Sequence, residues 1–140
     1  MMSLSITGRI AKKKQVENFI FDSFIHLMPR LKRSVDIDVY VVTRCENNHY
    51  ALCLGDKNSA EIELARGSRD KTFTLDEMML NLAHELVHAK QFIRGELHPS
   101  LNTWKKSDYT NVPYSRTPWE KEAYRLQDSL ALQVWESGEI

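Results

Sequence analysis

The stretch that decides the fold is Thr74–Gly95, TLDEMMLNLAHELVHAKQFIRG. Thr74, followed three residues later by Glu77, is a capping-box pattern: hydroxyl and carboxylate satisfy backbone N–H groups that a first helical turn leaves unpaired. Gly95 stands after Arg94, where a helix stops on a residue that tolerates a left-handed backbone. Between these signals Leu75, Met79, Leu82, Leu86 and Ile93 fall on one side at about 100° per residue, which predicts a helix buried along that stripe. His84 and His88 are four apart and point nearly the opposite way, one above the other.

Two imidazoles at that spacing can bind a single ion, and Glu85 points to the side, where it can reach a water held by the metal. Zinc in a catalytic site takes three protein ligands plus a water, and imidazole nitrogen suits it. The metal lowers the pKa of that water towards about 7, and a carboxylate base completes the nucleophile. Zinc is therefore the expected cofactor and Glu85 the expected general base.

Upstream of this helix the period changes to two. Ala60–Ala65 alternates Ile62 and Leu64 with Glu61 and Glu63, and Val35, Ile37, Val39 and Val41 alternate with Asp36, Asp38, Tyr40 and Val42. His49–Leu54 reads as a short strand between them, set off by turns at Glu46–His49 and Gly55–Asn58. The connections look too short for crossovers, so the expectation is a three-stranded antiparallel meander. Further upstream, Val16, Phe19, Ile20, Phe24, Leu27, Met28 and Leu31 predict a helix over 15–31, ended or bent by Pro29.

Downstream, residues 96–116 form a long irregular segment with Pro99 and Pro113, a length that in a small domain is usually functional or mobile. Thr117-Pro118-Trp119-Glu120 announces a third helix, with proline at its first position and an apolar pattern running to about Trp135. Trp104 and Trp119 read as packing anchors.

Composition narrows the rest. The 140 residues suit a single domain, 1–140, with a core of its own. Nineteen basic and nineteen acidic side chains cancel, so no global charge recommends nucleic acid or membrane as a partner. Residues 1–14 lack the apolar run of a secretory leader, and no segment approaches the roughly 18 apolar residues of a membrane span. A cytoplasmic location follows as the default. Cys45 and Cys53 flank the expected first hairpin; they could bridge it, but two reduced strand cysteines are the plainer expectation.

The helix motif His84-Glu85-Leu86-Val87-His88 resembles that of the zincin metallopeptidases. The metzincin branch is excluded, because Gln91 and Arg94 stand where its pattern has glycine and a third histidine. The alternative source of a third ligand is a glutamate on a later helix, as in the gluzincins. Here Glu120-Lys121-Glu122-Ala123-Tyr124 is similar to the Glu-x-x-Ala-(Asp/Asn) element of gluzincin-like families, including the ImmA/IrrE group. The resemblance implies Glu120 as the third metal ligand, with Tyr124 departing from the usual Asp or Asn.

The residues themselves leave rivals. Glu120 is also the fourth residue of a Thr-x-x-Glu capping box from Thr117. Glu122 is a second candidate ligand, although Glu120 has the semi-apolar neighbours Tyr124, Ala131 and Trp135, and Glu122 has Arg125, Ser129 and Gln133. His98 is a third, by resemblance to SprT-like metalloproteases, which take a histidine downstream of the helix. An oxyanion could be stabilised by Tyr109, Tyr114, His98 or Arg116 in the long segment, with Tyr114 the named candidate.

Together these readings predict an α+β, zincin-like minimal metalloprotease domain: N-terminal helix, antiparallel meander, the metal-binding helix and a C-terminal helix closing a cleft. The expected function is zinc-dependent hydrolysis of peptide bonds in a protein or peptide substrate. Two alternatives stand beside it, a non-proteolytic zinc-binding regulatory module and an SprT-like protease acting on DNA-bound proteins.

Overall fold

The computed structural model describes residues 2–136, as an α+β arrangement of three α-helices and a mixed sheet. Strand β1 (Met2–Thr7) leads through α1 (Lys13–Leu27) to β2 (Val35–Val42). Strands β3 (Ala51–Gly55) and β4 (Ser59–Ala65) follow, then α2 (Leu75–Ile93). A two-residue hairpin, β5 (Thr103–Trp104) and β6 (Ser107–Asp108), interrupts the segment before α3 (Pro118–Leu130). The chain then widens into a π-helical turn, Ala131–Glu136.

The meander expected from the sequence is not formed. The sheet order is β1-β2-β4-β3, with β1 parallel to β2, β2 parallel to β4, and only β3 antiparallel to β4. Burial explains the choice. On β4 the residues Ala60, Ile62, Leu64 and Ala65 are fully buried, so this strand gains most from a central place, whereas β3 is only partly buried and takes the edge. The excursion from β2 through β3 is itself the crossover that lets β4 return parallel to β2. Cys45 and Cys53 therefore do not face each other across a β2–β3 hairpin, and both carry free thiols.

β1 is an addition to the expected elements. Met2, Leu4 and Ile6 alternate with Ser3, Ser5 and Thr7, and Ile6 pairs in register with Val39. α1 joins these two parallel strands as a βαβ unit. It starts at Lys13, two residues before the expected position 15, and stops at Leu27, before Pro29.

The inward side chains of β1, β2 and β4 form one apolar layer with Val16, Phe19 and Ile20 of α1 and Met79, Leu82 and Leu86 of α2. α3 packs along α2. A smaller cluster of Phe92, Leu97, Trp104 and Trp119 lies at the far end of α2. No described helix is long and apolar enough to cross a membrane.

Candidate metal centre and active-site cleft

α2 begins and ends as its sequence dictates. The Thr74 hydroxyl accepts from Glu77 N at 3.2 Å, and the Glu77 carboxylate accepts from Thr74 N at 2.9 Å. At the other end Gly95 adopts φ +73°, and its N–H reaches Phe92 O at 2.9 Å. The helix is thus held at both ends, and its stripe of Met79, Leu82 and Leu86 locks its rotation against the sheet.

That rotation turns Glu85 and His88, both buried, and the half-buried His84 towards α3. There the Glu120 carboxylate meets both rings: Oε1 lies 3.0 Å from His84 Nε2 and Oε2 lies 2.9 Å from His88 Nε2. The two Nε2 atoms are 3.2 Å apart. One donor atom from each of His84, His88 and Glu120 falls within 4.8 Å of the others, a group that could hold a metal ion.

The capping alternative for Glu120 is not realised. No side chain caps α3; the Thr117 hydroxyl donates instead to Tyr114 O at 2.8 Å, leaving Glu120 free to face the histidines. Glu122 points elsewhere: Lys90 Nζ donates to its Oε1 at 2.9 Å and Gln91 Nε2 at 3.1 Å. His98 is also apart from the group. It bonds Ser100 and lines a separate hollow beside Gly95 and Pro99.

Two residues that sequence reading passed over orient the imidazoles. Gln91 Nε2 donates to the Trp119 carbonyl at 3.0 Å, so its Oε1 must be the atom facing His88 Nδ1 at 2.8 Å. An amide oxygen only accepts, so Nδ1 of His88 carries the proton and Nε2 faces Glu120. Gln127 Oε1 does the same for His84 Nδ1 at 2.7 Å. The signal was spacing: Gln91 lies three residues beyond His88 and Gln127 seven beyond Glu120, on the same helix faces. Tyr124 supplies no such bond; its ring sits edge-on to His84, centroids 4.7 Å apart.

Ionisation in the group is coupled. Burial opposes charge on Glu120, but hydrogen bonds from His84, His88 and Tyr114 outweigh it and hold the carboxyl well below the usual range. Burial likewise works against a charged His88, yet its bond to Glu120 and the charges of Glu85 and Glu120 push its pKa up. Burial pushes the Glu85 carboxyl up, with His88 and His84 pulling the other way. Tyr114 is 69% exposed, with Glu120 near its hydroxyl; desolvation at the cleft wall and the neighbouring carboxylate both raise its pKa.

The group opens into a cleft of about 440 Å³ between edge strand β3 and α3. Glu85, His88, Glu120 and Tyr114 line it, as do Phe92 and Trp119. Tyr109 packs against Trp119 instead, ring centroids 5.8 Å apart, and Trp104 lies against the same ring at 6.4 Å.

No family model matches the chain, and no curated protein matches it. In structure it is similar to the crystal structure of an aminopeptidase N family protein from Idiomarina loihiensis, with a TM-score of 0.53 and 15% identity. The match covers 96% of this chain and 24% of that one. The chain therefore spans about a quarter of that protein's length, and the likeness is one of fold.

Proposed function

We propose that this chain is a zinc-dependent metallopeptidase with a zincin-like fold, acting on protein or peptide substrates. The observation that carries the proposal is the convergence of His84, His88 and Glu120 beside a buried Glu85 at the wall of an open cleft. The likeness in fold to an aminopeptidase N family protein is consistent with it.

The donor set fits zinc: two imidazole nitrogens and one carboxylate, with both rings fixed through Nδ1 so that Nε2 is the ligating atom. His84, His88 and Glu120 would hold the ion. When bound, zinc acts as a Lewis acid, polarising a carbonyl and acidifying water. Three protein ligands beside a cleft suit catalysis better than structure, since a structural site is closed by four. This favours the enzyme over a regulatory zinc module.

Glu85 takes a proton from the attacking water as the new C–O bond forms, then delivers it to the amine nitrogen as the C–N bond breaks. Its buried position favours the protonated form it must pass through. Tyr114, whose hydroxyl lies beside Glu120 in the cleft, donates a hydrogen bond to the developing oxyanion. Equilibrium dialysis against zinc tests the ligand set. The wild type takes up about one ion per chain, whereas Glu120→Ala loses it and Glu122→Ala does not; no uptake by the wild type would refute the proposal.

A further inference from the structure

The reactive end of the cleft is only part of it. Phe92 lies four residues beyond His88 on the same face of α2, about 6 Å along the helix axis. An extended peptide advances about 3.3 Å per residue, so a side chain next to the scissile bond reaches that point. There the cleft has an apolar floor. Phe92, Leu97 and Trp119 all line it while being only 1%, 2% and 5% exposed, packed together as a cluster outside the main core.

Its rim is also apolar, and unusually placed. Leu54 on edge strand β3 is 58% exposed and Leu101 is 44% exposed, and both border the cleft. Leu101 holds φ +66°, a left-handed conformation that costs a bulky residue energy and that glycine or asparagine would adopt more readily. A leucine kept exposed in a strained backbone over an apolar hollow has no packing role to explain it. The carboxylates lining the cleft are Glu85 and Glu120, which belong to the reactive group.

We infer that this hollow is the specificity pocket for a large apolar substrate side chain, such as phenylalanine, leucine or methionine, adjacent to the scissile bond. Phe92, Leu97 and Trp119 form its floor, and Leu54 and Leu101 its rim. The inference rests on the peptidase reading. An acidic side chain would lose its hydration over that apolar floor and meet the carboxylates of Glu85 and Glu120, and a small one would leave the floor uncovered.

The test has two arms. In one, the zinc-loaded chain is incubated with end-blocked peptides differing only at one position, and cut sites are mapped by mass spectrometry. In the other, binding of the same peptides to zinc-loaded Glu85→Gln is followed by calorimetry, without cleavage. Phenylalanine or leucine is expected to exceed alanine by about 100-fold in kcat/KM, and aspartate by more, with the same order in binding. Leu54→Lys and Leu101→Asp, both at exposed positions, should erode that preference, and Leu54→Lys should improve acidic peptides relative to apolar ones. Cleavage without side-chain preference overturns the pocket and leaves the peptidase standing. Apolar-selective binding without cleavage does the reverse, and neither preference nor cleavage overturns both.

Discussion

Gln91 Oε1 lies 2.8 Å from Nδ1 of His88, and the same amide reaches Trp119 O through Nε2, so one side chain ties α2, α3 and an imidazole together. Because the Trp119 carbonyl can only accept, the amide orientation and the His88 tautomer follow from a single backbone group on the neighbouring helix. From α3, Gln127 Oε1 faces Nδ1 of His84 at 2.7 Å.

Replacing either glutamine with leucine keeps the volume and removes the acceptor. Gln91→Leu and Gln127→Leu are each expected to weaken zinc binding about 10- to 100-fold, read by competition with a chelator of known affinity. Gln91→Leu should also destabilise the fold, because the buried Trp119 end of α3 loses its bond. Unchanged affinity in both variants would mean that the imidazoles are oriented by packing alone.

Tyr114→Phe removes the hydroxyl at the cleft wall without disturbing a mostly exposed ring. The expected result is a loss of about 100- to 1,000-fold in kcat, with KM and zinc content near those of the wild type. A loss confined to KM would make Tyr114 a substrate contact and not a stabiliser of developing charge.

Cys45, outside the His84–His88–Glu120 group, offers a pH-dependent check. Burial, reinforced by Glu63, pushes its thiol up to about 12, against an ordinary value of 9.0. Because only the thiolate reacts, alkylation of Cys45 in the folded chain should keep rising about tenfold per pH unit beyond pH 9. The sign for stability follows: unfolded chains release this proton above pH 9 and folded ones do not, so stability falls as pH rises towards 12. Site-resolved mass spectrometry reads the rate. A plateau near pH 9 would show an ordinary, accessible thiol.

α2 was legible because several local signals agreed on it: capping box, terminal glycine, a stripe of apolar residues and histidines opposite. β2 was legible as a strand for the same reason, since Val35, Ile37, Val39 and Val41 alternate cleanly. The order of the strands was not. Alternation states which face of a strand is buried but not which strand lies beside it, and β4 won the centre through long-range packing of Ala60, Ile62 and Leu64. β1 carried a readable alternation over Met2, Leu4 and Ile6, but so short a run gains its place only by pairing with β2.

Glu120 shows the same division. Its local sequence fits a capping residue as well as a ligand, and the shielding of its neighbours only leaned towards the second. The distinction is tertiary: Glu122 is drawn to Lys90 on α2, which also pairs with Glu96 at 2.9 Å, while Glu120 reaches His84 and His88 on the same helix. Gln91 and Gln127 were harder still, because an amide becomes meaningful only once the ring it faces is known.

New peptide termini released from a denatured cell lysate by the zinc-loaded wild type and by zinc-loaded Glu85→Gln test whether Glu85 is the base of a zinc-dependent peptidase. Discrete new termini are expected with the wild type, lost by about 100- to 10,000-fold in the variant, while both proteins retain about one zinc per chain. Equal cleavage by the two proteins, or none by a fully zinc-loaded wild type, would contradict that role.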